Sequence, residues 1–474
     1  MKLPNEVVRQ VVQDFDNAEL GDPRRTRRVQ RVVAKLAQAP QSAIPAAMGS
    51  EAELEGAYRL MSNPAVTFES LGKAHVEATR KRAEAAGEVL VLHDTTTCGW
   101  KHVSPEEIGY LPTGKAGFNF HPSVVVELEH ALPLGISHGE VIVRHQRSRR
   151  SKGKRHLPGS ATAKQKNREY TRWWRGIEAS ASLLKNCKKV IHVTDREGDS
   201  YALLAQMVMA ALFFVVRVRC DRKAREPGSE DETWSTLKKV LSSAEGVIER
   251  EVPISTRKPR TAPRANEAHP PRKARIAKLH FSAAAVEIAR PSYLDDSVPV
   301  TLRLNAVHVV ERNPPPGQDP VEWLLFTTEP IDTPKQIVAI VDWYRMRWII
   351  EEFNKALKTG CAYEKRKFES LPALLNILAL CLPIAIQLLA LRTRARTDPN
   401  ARATEIMTPL QIRILRLLGF RKLSSHPSAQ EALLAVAALG GHKRSNGDPG
   451  WLVLYRGMQK LLDAEIVWKI ARNA

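Results

Sequence analysis

Cysteine is scarce in this chain of 474 residues, and the five present (Cys98, Cys187, Cys220, Cys361 and Cys381) are scattered, with no C-x-x-C pair and no close Cys/His grouping. That spacing lacks the signatures of a disulfide framework and of a zinc site. It leaves the thiols as small, buried or half-buried side chains in a reducing compartment. Also missing is any run of about eighteen uninterrupted apolar residues, and no secretory leader is read after Met1. The expectation is a cytoplasmic protein with no membrane partner. Acidic residues are in deficit, with 51 Asp plus Glu against 72 Lys plus Arg, a net charge of +21. Such an excess costs self-repulsion unless a polyanion or counterions neutralise it, and nucleic acid is the partner it points to.

The length predicts about two to four domains of roughly 100–200 residues each. The first seventy residues read as short helices: an amphipathic opening from Glu6 to Asn17, a G-D-P turn at Gly21 to Pro23, and a helix carrying Arg24, Arg25, Arg27 and Arg28. From Glu88 the pattern turns to strands, with V-L-V-L-H-D ending at Asp94, P-S-V-V-V-E-L-E at Pro122 to Glu129, and a third strand near Gly139 to His145. R-S-R-R-S-K-G-K-R at Arg147 to Arg155 is suited to following a phosphate backbone. A helix is expected over roughly Gln165 to Lys185. Two apolar runs, ending at Asp195 and Arg219, bracket a helix from about Ser200 to Val208, which predicts a parallel crossover. A strand-rich stretch then runs from Trp234 to Leu325, interrupted by Pro- and Arg-rich sequence from Ser255 to Arg275. Helix resumes at Thr333, a fitting N-cap before Pro334, and dominates after Phe368, with the strongly apolar Leu371 to Leu391 and a last helix near Trp451 to Ile470.

Two strands end in an aspartate, Asp94 and Asp195, and the carboxyl ends of neighbouring strands are where open α/β sheets gather functional groups. An aspartate there also serves as a turn or cap residue. The pattern from Pro334 to Thr359 predicts one helix on which Tyr344, Arg347, Glu351 and Lys358 share a face, while Ile349, Ile350, Phe353, Ala356 and Leu357 point to the opposite side. A solvated stripe steadied by Glu351 and Lys355 would give the same pattern. Together, however, two strand-end aspartates and a helical glutamate form a set of hard oxygen ligands suited to two Mg²⁺ or Mn²⁺ ions, as phosphoryl transfer uses. Arg and Lys beside the glutamate could hold phosphates.

The motif Tyr344-x-x-Arg347-x-x-x-Glu351-x-x-x-x-x-x-Lys358, within Y-R-M-R-W-I-I-E-E-F-N-K-A-L-K-T-G, resembles the signature of the bacterial insertion-sequence-four transposases. Further segments are similar in the same order: L-G-D-P-R-R-T at Leu20 to Thr26, E-G-A-Y-R at Glu55 to Arg59, D-T-T at Asp94 to Thr96, D-R-E at Asp195 to Glu197 and F-V-V-R at Phe214 to Arg217. The likeness weakens in the strand-rich stretch and from Phe368 to Ala438, then partly returns at L-G-G and in the terminal helix. The resemblance implies an α/β fold with a ribonuclease H-like catalytic core over 71–370, carrying a strand-rich insertion at about 225–325. An all-helical DNA-end-binding domain over 1–70 and a helical dimerisation domain over 371–474 would flank it.

The implied activity is cut-and-paste transposition through a DNA hairpin, with Asp94, Asp195 and Glu351 as catalytic metal ligands. Tyr344, Arg347 and Lys358 would hold the DNA strand, and Arg217 would contact its backbone. Trp323, twenty-one residues before Tyr344, would receive a flipped base, although a tryptophan at a strand start more often packs a sheet. The expected partners are transposon-end and target DNA and a second copy of the chain, with Arg24, Arg25, Arg27 and Arg28 as candidates for reading the ends. The competing readings are a catalytically silent end-binding protein that inhibits transposition and a ribonuclease H-like nuclease that cuts without joining.

Overall fold

The computed structural model describes residues 5–146, 171–229, 233–242, 244, 248–254, 256–257, 271–398, 400–419, 421–443 and 447–473. The basic run at Arg147 to Arg155 and most of the Pro- and Arg-rich stretch lie outside these residues. The described residues fall into two units, one drawn from 1–153, 176–189 and 348–474, the other from 154–175 and 190–347.

The first unit opens with helices whose valines face inward. Asn5–Gln13 buries Val7, Val8 and Val11. Pro23–Gln38 starts where Asp22 accepts the Arg24 amide at 2.8 Å, and it buries Val29, Val32, Val33 and Leu36, turning its arginine-rich side away from the core. A capping box of Thr67 and Ser70 starts Phe68–Ala86. The strands β1 (Glu88–His93), β2 (Thr96–Gly99), β3 (Gly117–Glu127) and β4 (Pro133–Ile142) form an antiparallel sheet in the order β2-β3-β1, with β4 also pairing β3. β4 begins before the expected Gly139, because its ladder with β3 already starts at Val126 and Pro133. β2, only four residues long, is too short to show a period and was not expected.

Beneath this sheet lies the helix Leu371–Thr397, packed against Phe68–Ala86 and β4. Its most apolar stretch has a mean hydropathy of 2.4, enough by length and composition to cross a membrane, and 83% of that stretch is buried in the structure. Helices Pro409–Leu418, Ala429–Leu439 and Trp451–Asn473 follow. Gly440 and Gly457 let the last two approach closely: a Cβ on Gly457 would lie 1.8 Å from the Val436 carbonyl oxygen. Cys98, Cys361 and Cys381 are buried and Cys187 is half-buried.

In the second unit β5 (Lys189–Thr194) pairs in parallel with β6 (Phe213–Arg217), and the helix Tyr201–Met209 connects them, as the strand-helix-strand pattern predicts. Contrary to the expectation for the cysteines, Cys220 is exposed, because it stands in the turn that follows β6. The remaining strands are β7 (Lys223–Arg225), β8 (Ser235–Thr236), β9 (Ile248–Ile254), β10 (Arg275–Ala289), β11 (Thr301–Glu311) and β12 (Glu322–Thr327). They pair antiparallel in the order β6-β12-β11-β10-β7-β8, with β9 also on β10. The strand-rich stretch therefore extends the sheet that β5 and β6 begin, giving one mixed sheet. Arg275 closes the β10 and β11 ladder with two bonds to Glu311, of 2.9 and 2.7 Å.

Asn376 stands within the apolar Leu371–Thr397 helix and donates to the carbonyls of Met61 and Val66 at 3.0 and 2.8 Å. Replacing it by Ala orphans both buried acceptors. The expected cost is about 1–3 kcal/mol for each, read as a lower urea midpoint; an unchanged midpoint would show that water satisfies them.

Candidate functional site

In the first unit the buried run Val89 to Leu92 makes β1 a strand, and half-buried Asp94 follows its last residue. The Asp94 carboxylate accepts the Thr95 amide at 2.7 Å. The Thr95 hydroxyl lies 2.9 Å from Nδ1 of buried His121, and the His121 ring stacks on that of His93. His93 Nδ1 lies 2.9 Å from the Ser123 hydroxyl. The Asp94 turn therefore rests on a hydrogen-bonded polar layer inside the sheet.

The single helix expected from Pro334 to Thr359 is not continuous. Pro334–Met346 ends at Arg347, Trp348–Lys355 forms a second, two-turn helix, and Ala356–Gly360 winds as a π-turn closed by the Cys361 amide on the Ala356 carbonyl at 2.8 Å. Of the four residues expected to share a face, Tyr344 is buried, while Arg347, Glu351 and Lys358 are half-buried. Tyr344 is 5% exposed and sits in the second unit, with its ring edge on Trp323. The apolar side is as expected at Ile350, Phe353, Ala356 and Leu357, which are buried, while Ile349 is half-buried.

Trp348–Lys355 packs against β1, so half-buried Glu351 belongs to the element beside the strand that ends at Asp94. Lys358 follows in the π-turn, and its ammonium donates to the Thr97 carbonyl in β2. The first unit thus brings Asp94, Glu351 and Lys358 to one group of elements.

The second unit holds Asp195, Arg217, Trp323, Tyr344 and Arg347. Asp195 follows β5 in a tight turn where its carboxylate accepts the Glu197 amide at 2.8 Å, and a Cβ on Gly198 would lie 2.5 Å from the Thr194 hydroxyl. The Arg217 guanidinium lies 5.8 Å from the centre of the half-buried Trp323 ring, and the Trp323 and Tyr344 rings meet edge to face at 5.3 Å. β6 and β12 place Arg217 and Trp323 side by side, since Arg217 pairs with Leu325 in the ladder.

Arg196, the centre of the D-R-E segment, was given no role by the sequence. Partial burial, then repulsion from Arg217, lower its pKa, while Tyr344, Asp195 and Glu322 act in the opposite direction. Its adjacency to Asp195 was legible; its partners, contributed by distant elements, were not. His192, buried within β5, is pushed down to about 3 by desolvation and stays neutral.

The donor chemistry of Asp94, Asp195 and Glu351 fits Mg²⁺ or Mn²⁺. Within neither unit do three His, Cys, Asp or Glu side chains gather as a metal-binding group among the described residues. Asp94 and Glu351 belong to the first unit and Asp195 to the second.

The four N-terminal arginines divide by exposure. Arg24 and Arg27 are exposed on Pro23–Gln38, Arg27 donating to the Pro23 carbonyl at 3.4 Å, and Arg25 and Arg28 are half-buried. Arg25 donates to the Leu20 carbonyl at 2.8 Å, and Arg28 lies across Gly56, where a Cβ would come within 2.1 Å of its guanidinium. Residues 11–66 match the transposase DNA-binding family. This chain carries a transposase DNA-binding domain, and DNA is its partner. The matched helices are the ones that expose Arg24 and Arg27.

Arg24→Ala and Arg27→Ala are expected to weaken DNA binding and to lower the slope of log affinity against log salt by about one each. Arg25→Ala should instead lower thermal stability more than it lowers that slope. A salt titration of duplex binding checks this, and identical slopes for all variants would remove the assignment.

Proposed function

We propose that the chain is a cut-and-paste DNA transposase of the insertion-sequence-four family, similar in its motifs to the transposase of transposon five. Asp94, Asp195 and Glu351 would hold two Mg²⁺ ions, for which Mn²⁺ can substitute, and their assembly around the metals is part of this proposal. The observation that carries the reading is the transposase DNA-binding match at residues 11–66, in a chain whose glutamate helix packs beside the strand leading to Asp94. When bound, the ions would activate the attacking oxygen and stabilise the leaving oxygen of each phosphoryl transfer.

The chain's own residues position the DNA. Arg347 and Lys358 hold phosphates, bidentately and as a point charge respectively, and Tyr344 helps to hold the strand. Arg217 contacts the backbone. Trp323 offers a half-exposed ring on which an extruded base can stack, offsetting part of the few kcal/mol that unstacking costs. In the first step a water oxygen bonds to phosphorus at the transposon end and the 3′-oxygen leaves as a hydroxyl. That hydroxyl attacks the opposite strand, closing a hairpin and releasing the flanking DNA. A second water opens the hairpin and frees the 3′-hydroxyl, which then attacks a phosphate of target DNA and displaces the target's own 3′-oxygen as a hydroxyl. Two copies of the chain pair the two ends, and the protein works in the cytoplasm on nucleoid DNA.

Wild-type protein incubated with its transposon-end duplex and Mg²⁺ or Mn²⁺ is expected to give 3′-nicked and hairpin products on a denaturing gel. EDTA should abolish them, and Asp94→Ala, Asp195→Ala and Glu351→Ala should each lose cleavage while keeping end binding. Cleavage retained by Glu351→Ala would sink the metal assignment. Binding without products in the wild type would favour a catalytically silent inhibitor, and nicking without strand transfer a nuclease.

A further inference from the structure

The α-helical turns that carry Glu351 are few. Trp348–Lys355 spans eight residues, follows Pro334–Met346 after the single residue Arg347, and runs directly into the π-turn at Ala356. So short a helical segment gains most of its stability from packing, and its contacts therefore set its rotation about its axis. Successive helical residues project about 100° apart, and whatever pins Glu352 therefore sets the direction of Glu351.

Glu352 is pinned by elements far away in sequence. Its side chain is 13% exposed, and its carboxylate accepts the indole N–H of Trp451 at 2.9 Å, a bond from the Arg392 guanidinium, and the Lys355 ammonium at 2.8 Å. Arg392, buried in Leu371–Thr397, also donates to the Pro449 carbonyl at 3.1 Å, and its guanidinium lies 5.0 Å from the centre of the Trp451 ring. At the end of the π-turn, a Cβ on Gly360 would meet Leu388 at 3.1 Å and Trp451 at 3.5 Å, so Gly360 seats the turn against the same two helices. A buried ion pair contributes little net stability, because desolvating both ions offsets their attraction, but once formed it tolerates few alternative arrangements.

We propose that Glu352, Arg392 and Trp451 are positioning residues that fix the rotation of the Glu351 helix, making the junction with the C-terminal helix a condition for metal-dependent catalysis. This rests on the proposed role of Glu351. In this role the three act by holding Glu351 and, through the π-turn, Lys358.

The test uses full-length Trp451→Phe, Arg392→Ala and Arg392→Lys. Three quantities are measured: end-duplex binding by gel shift, cleavage rate at saturating Mn²⁺, and the Mn²⁺ concentration giving half that rate. Trp451→Phe keeps an aromatic ring while removing the indole N–H donor and part of the ring, and it serves even if Arg392→Ala fails to fold. The expected result for Trp451→Phe and Arg392→Ala is unchanged end binding, with a half-maximal Mn²⁺ concentration raised or a rate lowered by roughly 10–100-fold, and partial recovery in Arg392→Lys. A folded Trp451→Phe with wild-type rate and Mn²⁺ dependence overturns the proposal. So does a loss confined to end binding and melting temperature. Glu351→Ala, run alongside, separates the two readings: if it cleaves, the proposed function fails, whereas if it is inactive while Trp451→Phe is normal, only the positioning role fails.

Discussion

The Leu371–Thr397 helix is too apolar to lie in water and carries polar side chains that cannot be buried unpaired, and the first unit is organised around satisfying both conditions. Its apolar sides are covered by Phe68–Ala86, β4, the π-turn and Ala429–Leu439. Its two buried polar side chains face opposite tasks: Asn376 answers the carbonyls of Met61 and Val66 near the end of the DNA-binding region, and Arg392 answers Glu352 beside the glutamate helix. The same hydrophobic burial that stabilises the unit thus fixes two polar junctions, because an amide or guanidinium inside a closely packed core can be satisfied in few geometries.

The π-turn shows how packing overrides local helical preference. Sequence periodicity carries one helix through to Thr359, and nothing in the residue types forbids it. Seating Gly360 against Leu388 and Trp451, with Leu357 and Ala356 buried, takes up one extra residue in the turn, and Lys358 is redirected to the Thr97 carbonyl. An ideal helix would have left Lys358 on the face of Glu351 at the full 3.6-residue period.

That contrast marks what could be read from the chain. β1, β3, β5 and β6 were legible because their valine- and leucine-rich runs exceed what a half-exposed strand would carry, and the Thr333 and Pro334 start was legible because capping is a local interaction. The partition of Tyr344 and Trp323 from Glu351 was not, since which unit a residue joins depends on long-range packing. Nor were the surroundings of Arg25 and Arg28 visible: four arginines on a basic helix look alike until Arg25 is seen bonded to Leu20 and Arg28 lying over Gly56. The position of Asp94 after a strand was plain, but the histidine and hydroxyl layer beneath it depends on the register that sets His93 opposite Ser123.

The charge of +21 is in the same way not all available to DNA. Arg366, 3% exposed, spends its guanidinium on the carbonyls of Pro40, Ser42 and Cys361, joining the segment after Pro23–Gln38 to the residues that follow the π-turn. Arg82 is bound to Asp14 and to the Leu134 carbonyl, where the Asp14 carboxyl is held below its ordinary value because bonds from His75 and Arg82 outweigh the opposing effect of burial. Arg275 is committed to Glu311 and Arg392 to Glu352. A basic chain of this kind uses guanidinium groups as internal fasteners because they keep their charge and offer five donors in a fixed plane. The electrostatic footprint on DNA is therefore set by where the exposed cations lie, such as Arg24 and Arg27 on the helix matched to transposase DNA binding, rather than by the net count.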